Sequence, residues 1–249
     1  MPVRKPIPRW TWIPLAAAGA VAGYALATTA WRFAEARELA RASEPFQRDP
    51  AEAQARVLVV GDSTGVGTGA TAPGESVAGR IAARYPGVAI DNRARDGAGF
   101  ADVRGQLDTA TGPYALVLVQ AGGNDVIKLT GDDRLALDVD AALARARRLA
   151  PAVVVMPPGN VGIAPFFWPP VTWWMSARAR TMHAIVRAAA ARRGATYVGL
   201  YRERGVDPFA RDPKRMYAAD GLHPSGDGYA QWTGELLRQS DLDHVLAPR

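Results

Sequence analysis

From residue 56 onward, short runs of apolar residues alternate with longer stretches in which apolar residues recur every three or four positions. Val57-Leu58-Val59-Val60, Val88-Ala89-Ile90, Tyr114–Val119, Ala152–Met156 and Thr196–Leu200 are apolar through most of their length. Such runs suit strands covered on both faces, as in a parallel sheet. Between them, Leu135, Val139, Leu143, Ala146 and Leu149 fall at helical spacing, as do Met182, Ile185, Val186 and Ala189. A last helix is predicted from Ser225, carrying Tyr229, Trp232, Leu236 and Leu237. Strand and helix in alternation predict an α/β fold. The expected form is a three-layer αβα sandwich around a central, mostly parallel five-stranded sheet, spanning residues 56–240. In such sheets, sites form outside the carboxyl ends of the strands.

Before this domain the pattern changes. Arg4, Lys5 and Arg9 precede an uncharged stretch from Trp10 to Trp31, rich in Ala, Leu, Val and Gly, with Trp at both ends. About 20 helical residues span the roughly 30 Å hydrocarbon layer, and Trp favours the two membrane interfaces. Residues 1–34 are therefore expected to form an N-terminal hydrophobic helix. It would anchor the chain in a membrane through residues 10–31, with the catalytic domain periplasmic or extracellular. Ala25-Leu26-Ala27 leaves open a cleaved signal and a secreted product. Residues 35–55, charged and containing Pro45 and Pro50, read as a linker with an early helical part. Residues 241–249 read as a C-terminal tail.

Composition narrows the function. The 249 residues are 48% hydrophobic, enough for one medium α/β domain with a core plus the extra segment. The net charge of +6 raises the question of nucleic acid. The basic residues are almost all Arg and are interspersed with 24 acids, so no clustered basic face is expected and nucleic acid is excluded as a partner. The chain has no Cys, hence no disulfide or thiolate metal site. No His/Asp/Glu set has metal-ligand spacing.

The polar turns at the strand ends carry the chemistry. Gly61-Asp62-Ser63 follows the first strand, Asn92 to Gly99 the second, and Gly122-Gly123-Asn124-Asp125 the third. Asp220-Gly221-Leu222-His223-Pro224 lies beyond the fifth. Ser63 is a nucleophile whose hydroxyl needs a base within hydrogen-bond reach. Of the three His, His183 falls mid-helix and His244 in the charged tail, which leaves His223. Asp220, three residues earlier, would orient and stabilise its imidazolium. Backbone N–H groups of Ser63 and Gly97 and the Asn124 amide would face the oxyanion of a tetrahedral intermediate. Asp62 and Asp125 are expected to hold their loops through backbone hydrogen bonds.

These blocks resemble the SGNH/GDSL hydrolase superfamily (GDSL-like lipases and esterases). Ser63 matches the serine of its first block, Gly97 the glycine of the second, Asn124 the asparagine of the third, and Asp220 and His223 its D-x-x-H block. The resemblance runs over roughly residues 56 to 239. In the second block the small residue usual before the glycine is replaced by Asp96, and Gly99 competes with Gly97 for the role. The resemblance implies a flavodoxin-like fold and a serine ester hydrolase working through an acyl-Ser63 intermediate without a cofactor. Its members include lipases, arylesterases, thioesterases and carbohydrate deacetylases, which these residues do not separate.

Two rivals remain to be weighed. Gly61, Gly65, Gly67 and Gly69 after a strand suggest a dinucleotide-binding turn, but the spacing departs from G-x-G-x-x-G and Asp62 stands where a pyrophosphate would lie. A membrane-tethered binding module with a relict site is the non-enzymatic alternative. Finally, Ile163–Met175 contains three of the seven Trp and three Pro. Pro excludes a regular helix through most of it. Phe167, Trp168 and Trp173 are expected either to form an apolar wall for a small-molecule or lipid-like acyl ester, or to pack on the domain's own core.

Overall fold

The computed structural model of the protein describes residues 13–247. Strands β1 (Ala55–Gly61), β2 (Val88–Asn92), β3 (Leu116–Gln120), β4 (Ala152–Val155) and β5 (Thr196–Tyr197) form one sheet in the order β2-β1-β3-β4-β5. Every pairing is parallel. The αβα fold predicted by the alternation is the fold observed. β1 sits between β2 and β3, so the chain order reverses there. That switch point opens a crevice at the carboxyl ends of β1 and β3.

The helices are α1 (Ile13–Ala42), α2 (Ser63–Val66), α3 (Val77–Arg84), α4 (Phe100–Asp108), α5 (Gly123–Ile127), α6 (Asp132–Ala146), α7 (Val171–Arg193), α8 (Pro208–Arg211), α9 (Pro213–Met216), α10 (Gly226–Gln239) and α11 (Leu242–Leu246). Period-two alternation divides the core. Leu58 and Val60 of β1 join Val117 and Val119 of β3 against Phe100, Leu107, Leu143, Met182 and Val186 of α4, α6 and α7. Val57 and Val59 join Leu116 and Leu118 against Ile81, Tyr229 and Leu236 of α3 and α10. All of these side chains are fully or almost fully buried. Each large apolar side chain so buried contributes about 1.5–3 kcal/mol, which holds the sheet ends, and the turns built on them, in fixed positions.

The flanking segments depart from expectation. Residues 13–42 form a single helix, which runs on into the segment read as a linker. Among the described residues no helix is long and apolar enough to cross a membrane. Ala, Gly and Thr give this helix too little apolar surface for the spanning role expected of residues 10–31. Residues 10–12, including two of the expected interfacial Trp, lie outside the described residues. The linker is tied to the domain. Arg48 exchanges backbone hydrogen bonds with Ile90 on the free edge of β2, and Gln47 does so through its amide with Asn92. That contact covers a sheet edge that would otherwise be open. The segment from 241, expected as a tail, forms α11, whose Leu242 and Leu246 are buried in the core.

Candidate active site

Three strand ends and one distal loop build the site. β1 ends at Gly61, where φ is +140°. A Cβ there would lie 1.8 Å from the Gln120 carbonyl oxygen, so only glycine lets the chain pass that close to β3. Gln106 secures the same residue from below: its amide accepts from Gly61 N at 2.7 Å and donates to Gly61 O at 2.9 Å. The chain then turns into α2, with Asp62 as its N-cap accepting from Thr64 N and Thr64 Oγ1. This places Ser63 at the first helical position with its backbone N–H uncommitted among the described residues.

Ser63 Oγ lies 2.9 Å from His223 Nε2, and His223 Nδ1 lies 2.5 Å from Asp220 Oδ2. The other Asp220 oxygen accepts the backbone N–H groups of Leu222 and His223, at 2.9 and 3.1 Å. The carboxylate is thus held by the turn that carries the imidazole. Burial alone would raise the Asp220 carboxyl. The hydrogen bond and charge of His223, with those two N–H groups, outweigh it and hold the pKa below the usual carboxylate value. Because a carboxylate only accepts, Nδ1–H donates to it and Nε2 is left to accept from the Ser63 hydroxyl. Ser63, Asp220 and His223 are all buried, yet Ser63 and His223 border an open cavity of about 260 Å3.

Asn124, at the start of α5, borders the same cavity, and its Nδ2 donates to Ala98 O at 3.1 Å, leaving its second hydrogen available. Gly97 does not border that cavity. It adopts φ +76°, its N–H has no partner among the described residues, and an added Cβ would meet nothing within 4 Å. Gly99, its rival, has its N–H committed to Asp102 Oδ2 at 2.9 Å as the cap of α4. Of the two glycines, only Gly97 has a free donor. Asp125 accepts from Phe100 N and Thr130 Oγ1, tying the β3 turn to α4. Burial raises the Asp125 carboxyl and pushes that of Asp62 up to about 6.

The aromatic segment is not part of this cavity. Phe167 is partly buried against the core, and Trp168 and Trp173 are 40% and 71% exposed; none borders the cavity. Of the two expectations, an acyl wall and packing on the core, Phe167 takes the second, and none of the three forms a wall at this cavity. Trp168 instead packs edge-on to Tyr24 of α1, and Phe166 to Phe33. Arg32 of α1 donates to Pro165 O and Phe166 O and lies over the Trp168 ring. The segment's partner is the N-terminal helix, remote in sequence. Its last residues, from Val171, already belong to α7, which starts directly after Pro169-Pro170.

The rest of the cavity lining was not anticipated. It includes Arg202, Asp207, Tyr217, Gln231, Trp232 and Glu235, from the 201–217 region and α10. The one signal for it in the sequence is Asp207-Pro208, an N-cap followed by a first-turn proline, which predicts a helix start but no ligand. Among the described residues no group of His, Asp and Glu could hold a metal ion.

Fold and site together describe an α/β enzyme with a hydroxyl, an imidazole and a carboxylate in series at the sheet's switch point. The GDSL-like lipase/acylhydrolase family model matches residues 59–231, and the chain belongs to that family. It is a hydrolase of ester bonds. Solved structures with the same fold include an extracellular lipase from Streptomyces rimosus, 18% identical, with a TM-score of 0.56, covering 75% of this chain and all of that one. An acetylxylan esterase from Geobacillus stearothermophilus is 19% identical, with a TM-score of 0.54, covering 75% of this chain and 94% of that one. An α/β hydrolase from the metagenome of Lake Arreo is 19% identical, with a TM-score of 0.57, covering 75% and 95%. No curated protein matches the sequence.

Proposed function

We propose that the protein hydrolyses a small-molecule ester through an acyl-Ser63 intermediate. Ser63 Oγ attacks the carbonyl carbon as its proton passes to His223 Nε2. The imidazolium, stabilised by Asp220, then protonates the departing alkoxide. Water enters, gives its proton to His223, attacks the acyl carbon and releases the acid, returning the proton to Ser63. The oxyanion formed in each half is met by the Ser63 N–H and the Asn124 amide, both on residues that border the cavity. The reaction needs no cofactor.

The observation that carries this reading is the continuous series of contacts from Asp220 through His223 to Ser63, at 2.5 and 2.9 Å, opening onto one cavity. A binding module has no need of a hydroxyl set against a base whose orientation is fixed from behind. The cavity of about 260 Å3 is small for a ligand site, which favours esters of short chains over long lipids. Turnover of phenyl acetate tests the reading: wild-type protein is expected to hydrolyse it and Ser63→Ala to lose that activity. Equal turnover by both proteins would refute it. We propose residues 56–240 as the hydrolase domain.

A further inference from the structure

The reaction uses part of the cavity lining and leaves the rest unexplained. Asp207 is 3% exposed and borders the cavity. Its Oδ1 accepts from Phe209 N at 2.8 Å and caps α8, but its Oδ2 has no hydrogen-bond partner among the described residues. Tyr217 borders the same space, packs edge-on to Phe209, and its hydroxyl likewise has no partner among the described residues. A carboxylate oxygen that meets a cavity without a protein donor is open to a donor from water or from a ligand.

The geometry points to a recognition subsite in which Asp207 Oδ2 accepts, and the Tyr217 hydroxyl shares, a hydrogen bond from a hydroxyl group on the non-reacting part of the ester. The substrate class is thus a short ester bearing a free hydroxyl, such as an acyl ester of a polyol. The inference rests on the acyl-Ser63 reading and adds the substrate to it. The wall holds a guanidinium, that of Arg202, as well as the Asp207 carboxylate, and Arg202 lies 3.6 Å from Glu235. A neutral hydroxyl suits both. It donates to the carboxylate and can accept from the Arg202 guanidinium or the Gln231 amide, while the Trp232 ring offers an apolar face to the carbon skeleton. A wholly hydrocarbon ester would desolvate Asp207 without replacing the lost hydrogen bond, which is the means by which polar sites reject apolar analogues.

The test compares kcat/KM within two ester pairs that differ by a hydroxyl: glyceryl monoacetate with propyl acetate, and phenyl glycolate with phenyl acetate. The ratio within a pair cancels general losses of activity. For the wild type, the hydroxylated member of at least one pair is expected to be preferred by roughly tenfold or more. Asp207→Asn keeps an oxygen to cap α8 but presents an N–H2 donor to the cavity, and is expected to bring that ratio close to one. Tyr217→Phe, which leaves the cap untouched, is expected to lower the ratio by a smaller factor. Ratios that are the same in wild type and both variants, or no preference in the wild type, would overturn the subsite while Ser63-dependent turnover still stood. Absence of Ser63-dependent turnover of every ester would overturn the acyl-serine reading and the subsite with it.

Discussion

Two buried histidines in this molecule have both ring nitrogens occupied, and they do different work. His183, on α7, lies with Nε2 2.8 Å from Pro158 O and Nδ1 2.6 Å from the Tyr197 hydroxyl. A carbonyl only accepts, so Nε2–H donates to it and Nδ1 accepts from Tyr197. Neither partner carries a charge, and burial pushes the imidazole pKa down to about 4. His223 has a carboxylate on one side and a hydroxyl on the other, at the wall of an open cavity. On the acyl-Ser63 reading, the contrast is between a structural imidazole and a reactive one. What separates them is not burial or a full set of hydrogen bonds, since both have those. It is an anionic partner to stabilise the protonated form and a nucleophile on the other nitrogen.

That comparison can be broken by substitution. His223→Ala is expected to have the largest effect, lowering kcat/KM for phenyl acetate by about 10^4-fold or more. Asp220→Asn comes next, on the order of 10^4-fold, because the amide removes the anionic partner and can hold the wrong tautomer. Asn124→Ala removes one oxyanion donor and is expected to cost about 100- to 1,000-fold in kcat with KM little changed. Steady-state kinetics on the purified variants checks all three. A loss in His183→Gln as large as that of His223→Ala would erase the distinction.

His183 should instead reveal itself in stability. Its folded-state pKa is about 4, against 6.5 unfolded. Its contribution is therefore fully present above pH 6.5 and is lost as pH falls through that window, by up to about 3 kcal/mol. Asp62 and Asp207 act in the opposite sense. Burial raises each to about 6 from 3.8, so the folded state binds more protons and stability falls as pH rises across that interval. Urea unfolding from pH 4 to 7.5 is expected to show His183→Gln losing stability more steeply than wild type as pH rises. Asp62→Asn, which keeps the Thr64 contacts, is expected to lose it less steeply. Parallel curves for the three proteins would contradict the assigned burial effects.

Much of this was legible because it is local. The five apolar runs mark the strands, and each polar turn that follows sits where a parallel sheet must place it. Asp220 and His223 share one turn, so their spacing alone puts them side by side. The two things that were not legible depend on residues far apart in sequence. Trp168, expected either in an acyl wall or on the core, packs instead on α1, where Tyr24 and Arg32 are its partners and Phe33 meets the neighbouring Phe166. Asp207 and Tyr217 belong to no motif. They become neighbours of Ser63 only because 201–217 and α10 fold over the crevice, and no local pattern encodes that closure. That the Gly99 N–H is taken by Asp102 is likewise not legible in the sequence.

The central claim is that Ser63 is a nucleophile activated by His223. Reaction of the folded protein with a fluorophosphonate, followed by mass spectrometry of its peptides, tests it most directly. The account predicts a single adduct on the peptide bearing Ser63, absent in Ser63→Ala and formed far more slowly in His223→Ala. An adduct at another residue, or labelling at the same rate in all three proteins, would contradict it.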